Sequence, residues 1–404
     1  MPDRIDLPYG RHLIDDDDVA AVAQVLRSDF LTTGPAVGQF EAALAARTGA
    51  GEVVSCANGT AALHLACLAA GISHGDAVVV PAVTFAATAN AARFCGAEVV
   101  FADVDASTGL ITGETMTAAL DTVDRGRLRA VFPVHLNGQC ARLDDLADVA
   151  DRHGLQIVED ACHALGGSYG GNDASTYRVG DCHYSTMTTF SFHPVKTIAM
   201  GEGGAVTTND AGLSERLRRL RNHGIVRDPA AMQHPDQAVD ASGAANPWYY
   251  EIDELGYNYR ASDIHCALGL SQIGKLDAFA RRRQQLAARY DAALADLAPH
   301  VQPVQRDGFS RPVWHLYVVL IDFETIGLTR GQLMRELATK GIGTQVHYLP
   351  LHRQPYYRHR YGDASLPGAD RYYASALSLP LFPDMADEDV DRVAAALGDL
   401  VRAG

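Results

Sequence analysis

From about residue 50 the chain alternates short apolar runs with turns and helix-forming stretches, and this rhythm restricts the folds open to it. "EVVSC" gives way to the turn "ANGT" and to helical "AALHLACLAAG", which Gly71 is placed to end. "AVVVPAVTF" leads into "AATANAARFCG", and "AEVVFADVD" forms the next strand. "RAVFPVHL" precedes helical "CARLDDLADVADRHG", after which "LQIVEDA" returns to strand. Strands that are apolar along their whole length and separated by helices predict a sheet buried on both faces. The expected fold class is therefore α/β with a mostly parallel central sheet. Ligands of such sheets sit outside the carboxyl ends of the strands.

A chain of 404 residues is too long for one small core, so two domains are expected. The stretch from Pro229 to Trp248, "PAAMQHPDQAVDASGAANPW", has no period and is rich in turn-forming residues. It reads as a long loop or domain connection, dividing a large domain (1–245) from a smaller one (246–404). Beyond it, "SDIHCALGLSQIGKLDAFARRRQQLAARYDAALADL" carries helical spacing with Ser262 as N-cap. A strand ("WHLYVVLID"), a helix begun by Thr329, a strand ("TQVHYL") and a helix after Pro383 complete a small α+β unit.

The balance of 34 basic against 49 acidic residues gives a net charge of -15, which argues against a nucleic-acid partner. Small anionic substrates stay open, because a few local donors can override the net field. The stretch "MPDRIDLPYGRHLIDDDD" lacks the apolar core of a signal peptide, and no apolar run approaches the roughly 20 residues of a membrane span. Seven scattered cysteines without a C-x-x-C pair point to reduced thiols in a cytoplasmic protein. His347 and His352 lack the spacing and carboxylate company of a zinc pattern, so no metal is expected.

Four features fall just after expected strands. In "NGTAALH", Asn58, Gly59 and Thr60 open a helix whose unpaired amides can hold a phosphate. In "TFAAT", Phe85 sits in a turn that aims its ring at the cleft. In "VEDACHA", Asp160 ends a buried strand, where an unpaired carboxylate is costly and a protonated pyridine nitrogen resolves the cost. In "FSFHPVKTIAMGEGGAV", Ser191 and Lys196 stand beside a glycine cluster. A lysine desolvated there is a free amine, the form that attacks an aldehyde. Each has an ordinary structural reading too: a helix cap, a core phenylalanine, a carboxylate met by an N-cap or arginine, a surface lysine. Taken together they match pyridoxal 5'-phosphate, with an amine for its aldehyde, an acid for its ring nitrogen, an aromatic face and an anion cradle.

The motifs "DFLTTGP" (29–35), "NGTAALH" (58–64), "TFAATANA" (84–91), "VEDACHALG" (158–166), "FSFHPVK" (190–196), "GEGG" (201–204), "GYNYR" (256–260) and "VHYLPLH" (346–352) run in order through the chain. In them the sequence resembles the fold-type I, pyridoxal-phosphate-dependent sugar-nucleotide aminotransferases of the DegT type. The resemblance implies that Lys196 bonds the cofactor aldehyde and shuttles the proton, that Asp160 pairs with the pyridine nitrogen, and that His163 lies near the ring or its 3'-oxygen. It also implies that Phe85 stacks on the ring and that Gly59, Thr60 and Ser191 bind the phosphate. Asn258 resembles the residue that reaches the phosphate of the neighbouring subunit's cofactor, which implies a homodimer. The resemblance also places Tyr9, Thr32, His347 and Tyr348 at the mouth of the cleft as candidate substrate contacts, where aromatic residues can also simply pack. Arg260 is a candidate for the donor carboxylate or for an ion pair at the dimer interface.

Within the family, "FSFHPVKTI", "WYYEIDELGYNYR" and "LHRQPYYRHRYG" look closest to the aminotransferases of the pseudaminic-acid pathway. That likeness implies amino transfer from L-glutamate to C4 of a UDP-4-keto-6-deoxy-2-acetamido sugar. The sequence departs from the family in having Ala199 and Met200 where threonines are usual, and Gly59 where a small hydroxyl residue is common. The family's deoxygenating branch carries a histidine in place of Lys196, so the lysine argues for transfer. Other ketones, such as a dTDP-4-keto sugar, a cyclitol or a non-sugar compound, and a non-catalytic binding protein of the same fold, are the alternatives.

Overall fold

A computed structural model describes residues 5–171 and 175–403. Its central sheet has seven strands: β1 (Glu52–Cys56), β2 (Ala77–Pro81), β3 (Glu98–Ala102), β4 (Leu128–Val131), β5 (Gln156–Asp160), β6 (Met187–Ser191) and β7 (Gly204–Thr208). They lie in the order β1-β7-β6-β5-β4-β2-β3. All run in one direction except β7, which is antiparallel to both neighbours. The loop 192–203 that joins β6 to β7 contains no helix, so the chain returns antiparallel beside β6 instead of making the helical crossover that usually precedes a parallel neighbour.

The apolar strands are buried on both faces, as their sequence requires. Ala77 and Val79 of β2 enter the core on one side together with Phe190 and Ala205. Val78 and Val80 enter the core on the other with Val158 and Val206. Each such valine, fully removed from water, contributes roughly 1.5–3 kcal/mol. The helix Gly59–Ala69 covers the second face and is buried along most of its length; Gly71 follows it in a left-handed conformation, φ 75°, which only glycine adopts freely.

Ser262 caps the helix Asp263–Gly274, its side chain accepting the His265 N–H. The helical spacing that continues beyond it is broken at Lys275, and a second helix runs from Leu276 to Ala293. Ala261, Cys266, Ile273 and Phe279 still belong to the core of the sheet. Leu286 and Tyr290 belong instead to a separate core under the small antiparallel sheet Val301–Pro303, Tyr317–Ile321 and Ala376–Leu379. Thr329 caps its helix through a reciprocal capping box with Gln332.

The expected strand "TQVHYL" is not one. Only Gln345 pairs, exchanging backbone hydrogen bonds with Ser378 at 3.1 and 2.8 Å. Pro350, which has no N–H to give a ladder, follows closely, and the segment turns so that His347 and Tyr348 face the end of the central sheet.

Candidate active site

The carboxyl ends of β2, β4, β5 and β6 open onto a cavity of about 620 Å³. Its walls bring together Tyr9, Gly59, Thr60, Phe85, Asp160, His163, Ser191, Lys196, His347 and Tyr348, residues drawn from six separate stretches of sequence. Thr32, Asn258 and Arg260 lie outside it. Thr32 is exposed and bridges Ser262, Asn258 bridges Asn222, and Arg260 donates to Asn222 Oδ1 at 2.6 Å.

Lys196 stands in the loop between β6 and β7, which closes on itself: the Phe192 N–H donates to Gly203 O, and the Met200 N–H to Phe192 O, both at 2.8 Å. The glycines make this closure possible. A Cβ at Gly204 would lie 2.3 Å from Asn58 O, and one at Gly203 would press on Met200 Sδ at 2.9 Å. Burial of the amine lowers its pKa below the ordinary lysine value, and the nearby Cys162 and Asp160 oppose that shift. Ala199 and Met200, the departures beside the lysine, are buried at 3% and 0% exposure and do not line the cavity. The Ala199 N–H meets Gln272 Oε1, and Met200 packs in the sheet core.

Opposite, the helix at Gly59 points its start at the cavity. Asn58 Oδ1 accepts the Ala61 N–H at 2.9 Å, which leaves the Gly59 and Thr60 amides for a ligand. Ser191 is close enough that a Cβ on Gly59 would meet its Cβ at 2.7 Å and its Oγ at 3.1 Å. Gly59 therefore keeps open a space with backbone and hydroxyl donors on its sides, which suits a phosphate.

Asp160 ends β5 with 5% exposure. Its Oδ2 accepts the Thr88 hydroxyl at 2.7 Å, its Oδ1 accepts the Cys162 N–H at 3.2 Å, and Thr84 Oγ1 lies 2.8 Å from Thr88 Oγ1. Among the described residues Asp160 forms no ion pair. A buried carboxylate so held has room for one cation, and a protonated ring nitrogen answers it. Phe85, at the N-cap of the helix Ala86–Phe94, is 57% exposed, and its ring lies 6.0 Å from that of Tyr348.

The remaining wall is a cluster of rings. His163 and His315 lie 4.3 Å apart, and His347 packs between Tyr9 at 5.4 Å and Tyr348 at 4.8 Å. Burial, with help from the charge of Lys196, keeps all three histidines neutral: His347 falls to about 3, and His163 and His315 fall well below the ordinary range. Burial likewise raises Tyr348 and Tyr9, so both remain phenols.

Thr84, Thr88 and His315 were not singled out from the sequence. The two threonines flank "TFAAT" four residues apart, a spacing that puts them on one side of a helical turn. His315 stands at the head of the apolar strand "WHLYVVLID", where a single ring nitrogen is a faint signal. The buried Arg283 reaches behind it, donating to Trp314 O, His315 O and Leu381 O at 3.0–3.2 Å.

A lysine amine, a carboxylate, an aromatic face and an anion cradle around one cavity, at the ends of a mostly parallel sheet, define a pyridoxal-phosphate-dependent aminotransferase of fold type I. The chain belongs to the DegT/DnrJ/EryC1/StrS aminotransferase family, whose model matches residues 12–398. It is 38% identical over 399 residues to the spore coat polysaccharide biosynthesis protein SpsC of Bacillus subtilis (strain 168), a match covering 98% of this chain and 97% of that protein. Among solved structures it resembles Helicobacter pylori PseC, an aminotransferase involved in the biosynthesis of pseudoaminic acid, with a TM-score of 0.85 and 27% identity over 98% of this chain and 100% of that one. It also resembles the PLP form of Spr1654 from Streptococcus pneumoniae, with a TM-score of 0.86 and 26% identity over 98% and 99% of the two chains.

Proposed function

We propose that the protein is a sugar-nucleotide aminotransferase that takes an amino group from L-glutamate and delivers it to C4 of a UDP-4-keto-6-deoxy-2-acetamido sugar. The observation that carries the reading is the desolvated amine of Lys196, facing the same cavity as Asp160 and the open helix start at Gly59. The likeness to PseC supports the acceptor.

In this reading Gly59, Thr60 and Ser191 hold the cofactor phosphate, Phe85 stacks on its ring, and Asp160 pairs with its ring nitrogen. The bound cofactor supplies a carbonyl for the amine and a ring that takes up electrons released at the substrate carbon. Lys196, whose amine gives up its proton more readily because it is buried, would take the proton from that carbon and return it to the neighbouring one. His163, in the wall near where the ring would lie, is a neutral imidazole. Tyr9, His347 and Tyr348 contact the substrates, and Thr32 and Arg260 join them when two subunits meet. The exposed apolar residues Trp248 (72%), Ile252 (61%) and Leu255 (81%) beside Asn258 support a homodimer in which Asn258 serves the neighbouring site. In this reading the large domain, 1–245, would hold the cofactor with the helix Asp263–Gly274 packed on its sheet, and the smaller domain, 246–404, would supply His347 and Tyr348 to the cavity wall. Among the described residues no helix is long and apolar enough to cross a membrane, and we assign the protein to the cytoplasm.

The relationship to SpsC favours a second reading, in which the acceptor is another keto sugar on the way to a polysaccharide. Absorbance spectroscopy separates the possibilities. The purified protein should show a visible cofactor band that L-glutamate bleaches and a UDP-linked 4-keto sugar restores. An unbleached band removes glutamate as donor. Recovery with a TDP-linked or other keto sugar, but not with the UDP sugar, transfers the assignment to the second reading. Absence of any band in protein supplied with the cofactor refutes the enzyme reading.

A further inference from the structure

The turn after β4 carries a residue that no motif marked. Asn137 adopts φ 64°, a left-handed conformation that asparagine tolerates better than other non-glycine residues. Gly138 follows at φ 104°, where a Cβ would lie 2.4 Å from Val313 O. The turn is thus fitted tightly against residues 313–316. Its carbonyl accepts the N–H groups of His315 and Leu316 at 2.9 and 3.3 Å, and Asn137 Nδ2 donates to Tyr372 Oη at 3.3 Å.

The backbone N–H of Asn137 donates to His163 Nδ1 at 3.3 Å. A neutral imidazole has one N–H and one acceptor nitrogen, and burial keeps this ring neutral. With Nδ1 accepting, the proton belongs on Nε2, which lies 3.1 Å from Tyr348 Oη. The Tyr348 oxygen then receives a hydrogen bond from behind, and its own O–H is left to turn toward the cavity that its ring lines. A backbone amide cannot change its role from donor to acceptor, so it gives the whole chain a direction.

The geometry points to a one-way hydrogen-bond chain, from the Asn137 N–H through His163 to Tyr348, that makes Asn137 a positioning residue and the Tyr348 hydroxyl a donor to an acceptor oxygen of the bound substrate. A ketone or carboxylate oxygen meets that requirement, whereas a substrate ammonium group does not. The inference rests on the proposed function only for the identity of the substrate, because the direction of the chain is set within the protein.

The test is 15N NMR of the full-length protein with labelled histidine side chains, the His163 signals being assigned by their loss in His163→Gln. His163 is expected to show an unprotonated Nδ1 and a protonated Nε2, a result independent of any substrate. A protonated Nδ1 overturns the chain. In Tyr348→Phe the tautomer should persist, because Asn137 sets it, while kcat/KM for the keto acceptor falls about tenfold or more, the worth of one hydrogen bond. A tautomer that changes in Tyr348→Phe, or an unchanged kcat/KM, refutes the assignment. Asn137→Val, whose β-branched side chain opposes the left-handed turn, should yield mixed His163 tautomers. If that variant folds and keeps the single wild-type tautomer, Asn137 is not the positioning residue; if it does not fold, the wild-type spectrum and Tyr348→Phe decide the matter.

Discussion

Lowering the pH from 7 to 5 should weaken the fold through the histidines of the cavity wall. His347 is held at about 3 against an ordinary value of 6.5, first by burial and then by the charge of Lys196. Between those two values the unfolded chain binds a proton that the folded protein refuses, so stability rises with pH across the window and is lost as pH falls from 6.5 toward 3. Each unit is worth about 1.4 kcal/mol, and at pH 5 the unfolded state has gained about 2 kcal/mol from this one ring. His163 and His315 add losses of the same sign, because burial depresses both. Against a total stability of roughly 5–15 kcal/mol for a typical domain, a loss of this size is measurable. The variant for the experiment is His347→Gln, whose amide can still bond Ser378 Oγ, the present partner of His347 Nδ1 at 2.8 Å. Urea unfolding at pH 7 and pH 5 should show the wild-type protein losing about 2 kcal/mol more than the variant over that interval. Equal losses in the two proteins would mean that His347 titrates normally, and the account of the cavity as a region that excludes added charge would fail.

Three further outcomes follow from the same geometry. Thr88→Val removes the hydroxyl donated to Asp160 Oδ2 at 2.7 Å. A hydrogen bond to a charged group is worth about 1.5–3 kcal/mol, so the variant should unfold at lower urea and release cofactor on dialysis; wild-type behaviour in both assays would refute the assigned contact. Gly59→Ala places a Cβ 2.7 Å from Ser191 Cβ and should weaken cofactor binding about tenfold or more, about 1.4 kcal/mol or above, as read by titration of the visible band. Lys196→Met should make the cofactor-free protein more stable at neutral pH, because it removes an amine whose charged form burial disfavours. The gain should shrink as pH rises toward 10.5, the ordinary lysine value, where the unfolded chain loses its extra proton too. A gain that does not vary with pH would point to packing rather than charge.

Much of the fold was legible because its determinants are local. The valines of β2 face two cores, and that is why the strand is apolar at every position. Gly71, Ser262 and Thr329 sit at helix ends for reasons confined to a single turn of chain. The residues that meet around the cavity were legible for a different reason: each combines an unusual chemistry with a place just after a strand. What stayed hidden depends on distant segments meeting. The reversed direction of β7 is set by the closure of the Lys196 loop, and "TQVHYL" has strand composition but pairs through Gln345 alone. Ala199 and Met200 looked like a change beside the reactive amine, yet both side chains are turned into the core, where their apolar character is required. Asn137 acts through its backbone, so its side-chain type discloses the left-handed turn but not the histidine that the turn addresses.

The loop bearing Lys196 is anchored at both ends by adjacent strands, with Ser191 opposite Gly204 and Phe190 opposite Ala205. A one-residue slip in that pairing would send every side chain of β7 to the other face of the sheet. The pairing therefore fixes Ser191 and the core residues Phe190 and Ala205 together. The wall formed by residues 345–348 has a looser frame: its backbone pairs with a strand at Gln345 alone, and beyond it the side chains of His347 and Tyr348 are held by Ser378 Oγ and His163 Nε2. Variation in acceptor choice, whether by selection or in the laboratory, has its room there, while the amine's side of the cavity stays a fixed part of the machine.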